Sequence, residues 1–399
     1  MNIAFHILGT EGSPNFGGME ESTFRIAQYF VSFGAKVFLY ARNPVLSVDE
    51  RLAYEHASIH FVELHQDVTK VGEPLPFGGD VSEQFRILTL VFINHLERNV
   101  TANPTMNHVI VSFLISTNGF IAQNAAVQLG FPHIACIRGT DFSRDFFSYP
   151  RLSAIDFVIQ NARWIITTNS QQLRTINAVF QRTARVTTIF NPISVSLDQI
   201  WQPKRRDRVR FFCDTGYSFK KGTHIIVTAV EELVSEGIPL SLTIVGRQQK
   251  EEKPYWQKFI RERLSSPHIH LREYVSKEQL YDLLLDADIY CSGSLGEGCA
   301  NGSLNAAALG LPIVATDCGA LREITEGFPH VVLVPPGDSP ALKGALAAAA
   351  NCSLEGGLCP DMQRLAQMHK NFSADVERTC WQKIAEDIAS NSKSKQVFG

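Results

Sequence analysis

Short apolar runs alternate with amphipathic segments along nearly the whole chain, and this alternation constrains the fold more than any other feature. A run such as 108–114 suits a buried strand, and a segment such as 277–287, with leucines at 280, 283, 284 and 285, suits a helix packed on one side. Strands that alternate with helices build parallel sheets from βα repeats. The alternation therefore predicts an α/β protein with doubly wound parallel sheets.

The apolar runs predict thirteen strands, which fall into two groups. They lie at 2–8, 36–41, 58–64, 108–114, 132–137, 164–168 and 186–190, and then at 209–213, 241–245, 268–271, 288–292, 311–315 and 330–334. A polar stretch from Phe190 to Arg210 separates the groups and is typical of a linker. The chain has 399 residues, whereas single cores rarely grow beyond about 250–300 residues. We therefore expect two Rossmann-like domains that face a central cleft.

Composition excludes several classes of protein. Hydrophobic residues make up 45% and the net charge is −3, which suits a globular protein and argues against a nucleic-acid partner. A basic run from Lys204 to Arg210 is too short to change this. No apolar stretch reaches the ~18–20 residues of a membrane-spanning helix, and the start lacks a signal peptide's basic region, so we expect a cytoplasmic protein. Eight cysteines without a C-x-x-C pair predict reduced thiols rather than a zinc site.

Loops that follow strands are where chemistry is expected, because open parallel sheets bind ligands beyond the carboxyl ends of their strands. Loop 9–18 ends in Gly17 and Gly18 as the first helix begins. Backbone N–H groups there can approach an anion, and the helix dipole favours negative charge. The spacing matches neither a P-loop nor a G-x-G-x-x-G pattern, so a structural turn is the alternative.

Two loops of the second half place charged residues beside glycines. Loop 214–222 ends in Lys220, Lys221 and Gly222, which suits a diphosphate unless the lysines are simply solvated. Loop 293–305 holds Glu297 among glycines before a helix predicted at 304–309. Its carboxylate suits a polyhydroxylated ligand, and the alternative is a carboxylate that only complements the helix dipole.

A fourth loop, after the strand predicted at 132–137, contains Arg138 and Asp141 on either side of a tight turn. The two side chains suit a phosphate and a hydroxyl of a ligand. The alternative is that they pair with each other, which is common for exposed charges and contributes little stability.

Taken together, these loops resemble those of the retaining glycosyltransferases of family 4, which have the GT-B fold. The resemblance is strongest over 268–338 and is carried by Tyr274-Val275-Ser276, Ala287-Asp288-Ile289-Tyr290, Glu297-Gly298, Ala307 to Asp317, Gly319 to Ile324 and Val334 to Asp338. Gly17-Gly18-Met19-Glu20 looks like the family's N-terminal glycine loop, and Lys221-Gly222 looks like its phosphate-binding turn. The resemblance implies domains at 1–192 and 193–373, and a helix at 374–399 that packs toward the N-terminal domain and frays at its polar end.

The resemblance also implies an activity. A sugar would pass from a nucleotide-diphosphate donor, a UDP- or GDP-sugar, to a hydroxyl of a glycan or lipid-linked acceptor, with retention of configuration, in polysaccharide or glycoconjugate biosynthesis. Glu297 would hydrogen-bond the donor sugar, and Lys221 would neutralise the departing diphosphate with help from Lys220 or Arg138. Asp141 completes the catalytic set. The remaining donor-binding residues would be Gly17, Gly18, Gly216, Gly246, Arg247, Val275, Gly298, Cys299, Ala300, Asn301, Gly302, Ser303 and Asn305. No metal ion and no cofactor besides the nucleotide sugar is implied.

Three departures from the family pattern leave alternatives open. Asn305 replaces a second acid that usually holds the ribose, Gly216 lies near a missing phosphate-binding arginine, and Arg138 replaces a histidine. A nucleotide-sugar-binding protein without activity and a sugar-nucleotide epimerase are therefore the other hypotheses. Acceptor choice is expected to depend on 45–104 and 141–151. Peripheral membrane contact is considered for one set of side chains: Phe142, Phe146, Phe147, Tyr149, Arg144 and Arg151. A buried aromatic cluster is the alternative.

Overall fold

The chain divides into two compact units in the computed structural model. The structure describes residues 1–9, 18–42, 44, 46–64, 81–246, 254–256, 258–259, 266–272 and 275–395. Unit 1 comprises Met1–Asn191 together with Ala374–Gly399, and unit 2 comprises Pro192–Ser373. The chain therefore passes through unit 2 and returns to unit 1 with its last helix.

Thirteen strands and fourteen helices lie in the described part of the chain. The strands are β1 Ile3–Leu8, β2 Lys36–Arg42, β3 Ile59–Leu64, β4 Asn107–Phe113, β5 His133–Cys136, β6 Trp164–Thr167, β7 Val186–Thr188, β8 Val209–Cys213, β9 Leu240–Val245, β10 Ile269–Arg272, β11 Ile289–Ser292, β12 Ile313–Thr316 and β13 Val331–Val334. The helices are α1 Gly18–Ser32, α2 Val48–His56, α3 Val81–Thr101, α4 Asn118–Leu129, α5 Thr140–Ser143, α6 Tyr149–Asn161, α7 Ser170–Phe180, α8 Thr223–Ser235, α9 Lys277–Asp286, α10 Asn301–Ala308, α11 Leu321–Ile324, α12 Ser339–Leu354, α13 Met362–Asn371 and α14 Ala374–Lys395. All thirteen predicted strands are present, with ends shifted by at most two residues.

Both units contain a parallel sheet of the Rossmann type. The sheet of unit 1 has the order β3-β2-β1-β4-β5-β6-β7, and that of unit 2 has the order β10-β9-β8-β11-β12-β13. All strand pairs are parallel, and the order reverses between β1 and β4 and between β8 and β11. Ligands bind at such switch points, beyond the carboxyl ends of the strands. The doubly wound fold class is thus confirmed in each unit.

The last helix, α14, completes the core of unit 1. Its Trp381 is fully buried and meets Phe30 of α1 edge to face at 5.6 Å, while Phe30 stacks on Phe5 of β1 at 3.9 Å. Burial of such side chains contributes about 1.5–3 kcal/mol each. Arg25 of α1 also pairs with Glu377 of α14 at 2.7 Å. These contacts join the C-terminal helix to the N-terminal strands.

One helix start differs from the prediction. The helix predicted at 304–309 begins at Asn301, so the glycine-rich loop before it is three residues shorter than expected. The C-terminal helix, predicted at 374–399, spans Ala374–Lys395 in the described residues. By contrast, α9 begins where predicted, because Ser276 and Gln279 form a reciprocal capping box.

Candidate functional site

The loops after β8 and β11 lie against each other at the switch point of unit 2. Gly222 has φ +65°, and a Cβ on it would lie 1.8 Å from the carbonyl oxygen of Gly293. The backbone N–H of Leu295 also donates to the carbonyl of Lys220 at 2.8 Å. Only glycine permits this approach and this backbone conformation. The two glycines therefore bring the lysine loop and the glutamate loop into one site.

Lys221 and Glu297 meet where these loops touch. The ammonium of Lys221 donates to Glu297 Oε1 at 2.6 Å, and the Ser294 hydroxyl donates to the same oxygen at 2.6 Å. The side chains of Lys221 and Glu297 are 30% and 12% exposed, so the pair is accessible from one side. The sequence predicted both residues as site members but not their direct contact. Ser294 was missed, although it lies only three residues before Glu297.

The carboxyl of Glu297 stays ionised despite its partial burial. Burial by itself would raise its pKa, but the charge of Lys221 and the hydrogen bonds from Lys221 and Ser294 outweigh burial, so the pKa lies below its usual range. An ionised carboxylate only accepts hydrogen bonds. The site therefore offers a carboxylate acceptor for ligand hydroxyls beside an ammonium group for ligand anions.

Asp214 is a second carboxylate at this switch point, and it was not among the predicted site residues. It directly follows β8, which is the signal that could have identified it. Its Oδ1 accepts a hydrogen bond from the Tyr290 hydroxyl at 2.7 Å, and burial raises its pKa. A Cβ on Gly302 would lie 2.0 Å from Oδ2, so the carboxylate packs directly against the first turn of α10. Asp214 thus fixes the helix that follows the glutamate loop.

The other predicted donor-binding residues of unit 2 lie in loops and helix starts after its strands. Gly216 and Gly246 approach so closely that a Cβ on Gly246 would lie 2.6 Å from the Cα of Gly216. Gly298 accepts a hydrogen bond from the N–H of Ala320 at 2.8 Å, which joins the glutamate loop to the loop after β12. Cys299 is buried, Ala300 caps α10, Asn301, Gly302 and Ser303 form its first turn, and Val275 precedes α9. Gly17 and Arg247 lie outside the described residues.

Asn305 is held by the start of the linker. Its Oδ1 accepts hydrogen bonds from the backbone N–H of Ser194 at 3.3 Å and from the Ser194 hydroxyl at 3.1 Å. The Ser194 hydroxyl also contacts the Tyr281 hydroxyl at 2.7 Å. A carboxylate at position 305 would accept the same two bonds. The amide oxygen therefore has a structural task that the sequence did not reveal.

Arg138 and Asp141 lie beyond β5 in unit 1, and their side chains do not pair. Asp141 is buried, and its carboxylate accepts hydrogen bonds from the backbone N–H groups of Ile115 at 2.8 Å and of Arg138 at 3.2 Å. Burial raises its pKa. The carboxylate thus joins the loop after β4 to the loop after β5. This placement contradicts the alternative of an ion pair between the two side chains, and it gives Asp141 a structural role.

The guanidinium of Arg138 lies inside unit 1. It sits 4.7 Å from the centre of the Phe113 ring, and its Nη1 donates to Asn191 Oδ1 at 3.3 Å. Its Nε and Nη2 are buried without a hydrogen-bond partner in the described structure. Burial lowers its pKa from the usual value. Buried donors without a partner cost free energy, so binding an anionic group of a ligand, to which Nε and Nη2 could donate, would be favourable.

The aromatic residues after Asp141 divide into two sets. Phe142 is buried, whereas Phe147 and Tyr149 are 87% and 82% exposed. Arg144 and Arg151 both pair with the buried Asp145, at 2.7 and 2.9 Å. The segment therefore presents two rings to solvent from an anchored base, so the aromatic residues do not all form one buried cluster.

No helix among the described residues is both long and apolar enough to cross a membrane. They include no group of three or more His, Cys, Asp or Glu side chains placed to hold a metal ion.

Comparisons with known proteins converge on one family. Residues 207–351 match the family described as Glycosyl transferases group 1. A curated relative, MMP alpha-(1->4)-mannosyltransferase of Mycolicibacterium hassiacum, is 26% identical over 191 residues, 47% of this chain. The match spans less than half of that relative, 44% of its length.

Two solved structures resemble the whole chain. Sucrose-phosphate synthase from Thermosynechococcus elongatus has a TM-score of 0.73 at 14% identity, covering 97% of this chain and 99% of that one. Anabaena HepE, in complex with UDP and glucose, has a TM-score of 0.69 at 17% identity, with 97% and 99% covered. Identities this low establish the fold alone, and that fold is the GT-B fold.

Proposed function

Because this chain is a GT-B protein of the Glycosyl transferases group 1 family, matched over residues 207–351, we propose that it transfers a sugar from a nucleotide-diphosphate donor to an acceptor hydroxyl. Retention of configuration, a hexosyl donor and a place in polysaccharide or glycoconjugate biosynthesis belong to this proposal. The contact between Lys221 and Glu297 at the switch point of unit 2 is the observation that carries it. A cation and a carboxylate side by side match the diphosphate and the hydroxyls of such a donor.

When the donor binds, the ion pair between Lys221 and Glu297 would be replaced by one contact from each side chain to the donor. The diphosphate would draw the ammonium of Lys221, with Lys220 beside it, and Glu297 would accept hydrogen bonds from sugar hydroxyls. The N–H groups of the loop after β11 and of the first turn of α10 would face the same ligand. The Ser294 hydroxyl keeps one bond to Glu297 throughout, so the carboxylate remains oriented.

The reaction itself places few demands on the protein. The bond between the anomeric carbon and the phosphate oxygen breaks, and its electron pair leaves with the nucleoside diphosphate. The acceptor oxygen forms the new bond from the same face, and its proton passes to the departing phosphate oxygen. Negative charge grows on the diphosphate, so a fixed cation stabilises the transition state more than the ground state. Lys221 supplies that cation in our proposal.

Unit 1 would bind the acceptor, a glycan or a lipid-linked glycan. The buried Arg138 guanidinium with two unpaired donors suits an anionic group of a ligand, and it supports a role for this residue. Phe147 and Tyr149 are the side chains for a peripheral membrane contact, since rings exposed on an anchored base can enter a lipid interface. Both assignments rest on the glycosyltransferase activity.

Thermal unfolding with UDP, GDP, ADP and CMP at millimolar concentration tests the proposal first. A nucleotide at ~100 times its Kd stabilises the native state by about 2.7 kcal/mol, which shifts the unfolding midpoint visibly. We expect one diphosphate to respond, and UDP is favoured because HepE was solved with it. The matching nucleotide sugars are then assayed for transfer to added acceptors.

The same experiment separates the competing hypotheses. A responding nucleotide with no turnover of any matching sugar would favour a binding protein without activity. An epimerised nucleotide sugar formed without acceptor would favour an epimerase. No response to any nucleotide would contradict the donor site at Lys221 and Glu297.

A further inference from the structure

A cavity of about 140 Å³ lies in unit 2 at the opposite edge of the sheet from the Lys221–Glu297 pair. Its wall includes Lys204 and Arg205, which precede β8, and Asp288, which directly precedes β11. A strand of five residues is about 16 Å long, so β8 separates this cavity from the loops that hold the donor pair. The proposed donor site does not use any of its residues.

The cavity carries surplus positive charge. Two cations, Lys204 and Arg205, line it together with one carboxylate, Asp288. Two further cations outside the lining, Arg206 and Arg210, pair with Asp286. Asp286 already serves three of these cations, with Arg206 at 2.7 Å, Lys204 at 3.3 Å and a contact from Arg210. Arg205 makes no ion pair among the described residues, and one guanidinium nitrogen of Arg206, Nη1, is buried without a partner. Such a group of cations attracts an anion.

The same wall includes Asp288, a buried residue with one carboxylate oxygen that accepts no hydrogen bond in the described structure. Asp288 Oδ2 accepts a hydrogen bond from the backbone N–H of Arg210 at 2.8 Å. Asp288 Oδ1 is buried and accepts no hydrogen bond in the described structure, and the nearest cation, Arg206 Nε, lies 3.8 Å away. A carboxylate oxygen in this state suits a ligand hydroxyl, which can donate to it, better than a bare anion.

The remaining wall is apolar. The buried indole of Trp201 is fixed by its Nε1, which donates to the carbonyl of Ala287 at 2.7 Å, and Pro203 and Leu358 complete this face. Apolar walls with a few placed polar groups are typical of small-molecule sites. A cationic end, a hydroxyl acceptor and an apolar wall together match a small phosphate ester whose sugar ring has one apolar face.

We propose that this cavity binds a hexose monophosphate, with its phosphate on Lys204 and Arg205 and a sugar hydroxyl on Asp288. The proposal goes beyond the transferase activity, because the site lies apart from the donor pair and contains none of its residues. It also gives a use to the basic run 204–210, which the donor and acceptor sites leave unexplained.

Isothermal titration of the full chain with glucose 6-phosphate tests the proposal. We expect one saturable site, with the same Kd in the wild type and in Lys221→Ala, because Lys221 belongs to the donor site. The double variant Lys204→Ala/Arg205→Ala should weaken binding at least tenfold. Arg208→Ala is the matched control, since Arg208 is an exposed cation of the same run that does not line the cavity, and its Kd should stay within twofold.

Three results would overturn the proposal. Absence of saturable binding would remove the site. Loss of binding in Lys221→Ala would place the ligand at the donor site, and an equal loss in Arg208→Ala would indicate general attraction to a basic surface. Thermal unfolding of each variant checks its fold. If the double variant is unstable, Arg205→Ala alone serves, because this side chain is exposed.

Discussion

The two units use the same sheet topology, yet their switch-point edges differ in what they do with charge. In unit 2 the carboxylate of Glu297 and the ammonium of Lys221 face each other and stay partly accessible. In unit 1 the carboxylates of Asp141 and Asp145 are buried and occupied by backbone N–H groups, a serine and two arginines. The family match, residues 207–351, lies entirely within unit 2. Unit 2 thus leaves its paired charges partly accessible, whereas unit 1 uses these carboxylates to hold its own loops.

Polar side chains in the interior of unit 1 likewise bond to one another. Asn103 accepts from His108 through its carbonyl oxygen, so His108 Nε2 carries the proton and Nδ1 accepts. His6 Nε2 then donates to His108 Nδ1 at 2.9 Å, and His6 Nδ1 accepts from the Tyr40 hydroxyl at 2.9 Å. The chain of bonds runs in one direction through two neutral imidazoles, because burial lowers the pKa of both His6 and His108. Unit 1 is therefore organised by buried polar contacts across β1, β2 and β4.

The largest expected effect concerns the exposed pair of unit 2. Glu297→Ala should lower turnover by at least ~10²-fold, since it removes a preorganised contact with the reacting sugar. Steady-state assays with the donor identified by the nucleotide panel measure this loss. Asp317→Ala is the control, because among the described residues the Asp317 carboxylate pairs with the exposed Arg322 alone. A folded Glu297→Ala protein that transfers sugar at the wild-type rate would remove Glu297 from the mechanism.

Lys221→Ala comes next. Loss of one charge-assisted contact should weaken binding of the nucleoside diphosphate by about 1.5–3 kcal/mol. Titration calorimetry with the diphosphate and with the nucleoside alone isolates the effect, because only the diphosphate should be sensitive. An affinity for the diphosphate that does not change would place the phosphate site elsewhere in the molecule.

The sequence predicted both sheets and the two loops that carry Lys221 and Glu297, because these depend on local patterns. Apolar alternation marks strands, and Lys221 and Glu297 follow two of them. What it could not predict depends on contacts between distant segments, such as Ser194 with Asn305 or Asp141 with Ile115. Nothing in the residues around Arg138 indicates that its guanidinium packs on Phe113 rather than on Asp141. Unit 1 is therefore the less predictable half.

Acid should weaken unit 1 through its buried histidines. Burial holds the pKa of His133 at about 3, against 6.5 as its ordinary value, and the same cause acts on His6. Below about pH 6.5 these histidines bind protons in the unfolded chain but not in the folded chain. The free energy of unfolding therefore decreases as the pH falls toward 3. His133→Gln should remove roughly 1–2 kcal/mol of the loss between pH 7 and pH 5.

Urea unfolding of the wild type and His133→Gln at several pH values measures this difference. The variant's starting stability matters less than its slope, because His133 also bonds to Ser112 at 2.8 Å and Gln123 at 2.9 Å. Identical slopes in the two proteins would mean that His133 takes up no proton on unfolding in this range. Asn124→Ala, which removes a side chain of unit 1 that does not titrate and that donates to the carbonyl of Phe120, is the control and should leave the slope unchanged.

The smallest effect is expected at a second ion pair of unit 2, and it tests whether pairing or location gives Lys221 and Glu297 their importance. Arg322 contacts Asp317 at 2.6 Å, as close as Lys221 is to Glu297, but its side chain is 66% exposed. Exposed pairs gain little because water screens them. Arg322→Ala should therefore leave the thermal unfolding midpoint and the affinity for the diphosphate unchanged within error. A loss of affinity for the diphosphate comparable to that of Lys221→Ala would show that the loop after β12 also belongs to the donor site. The effect of a charge at this edge of the sheet would then not depend on its position.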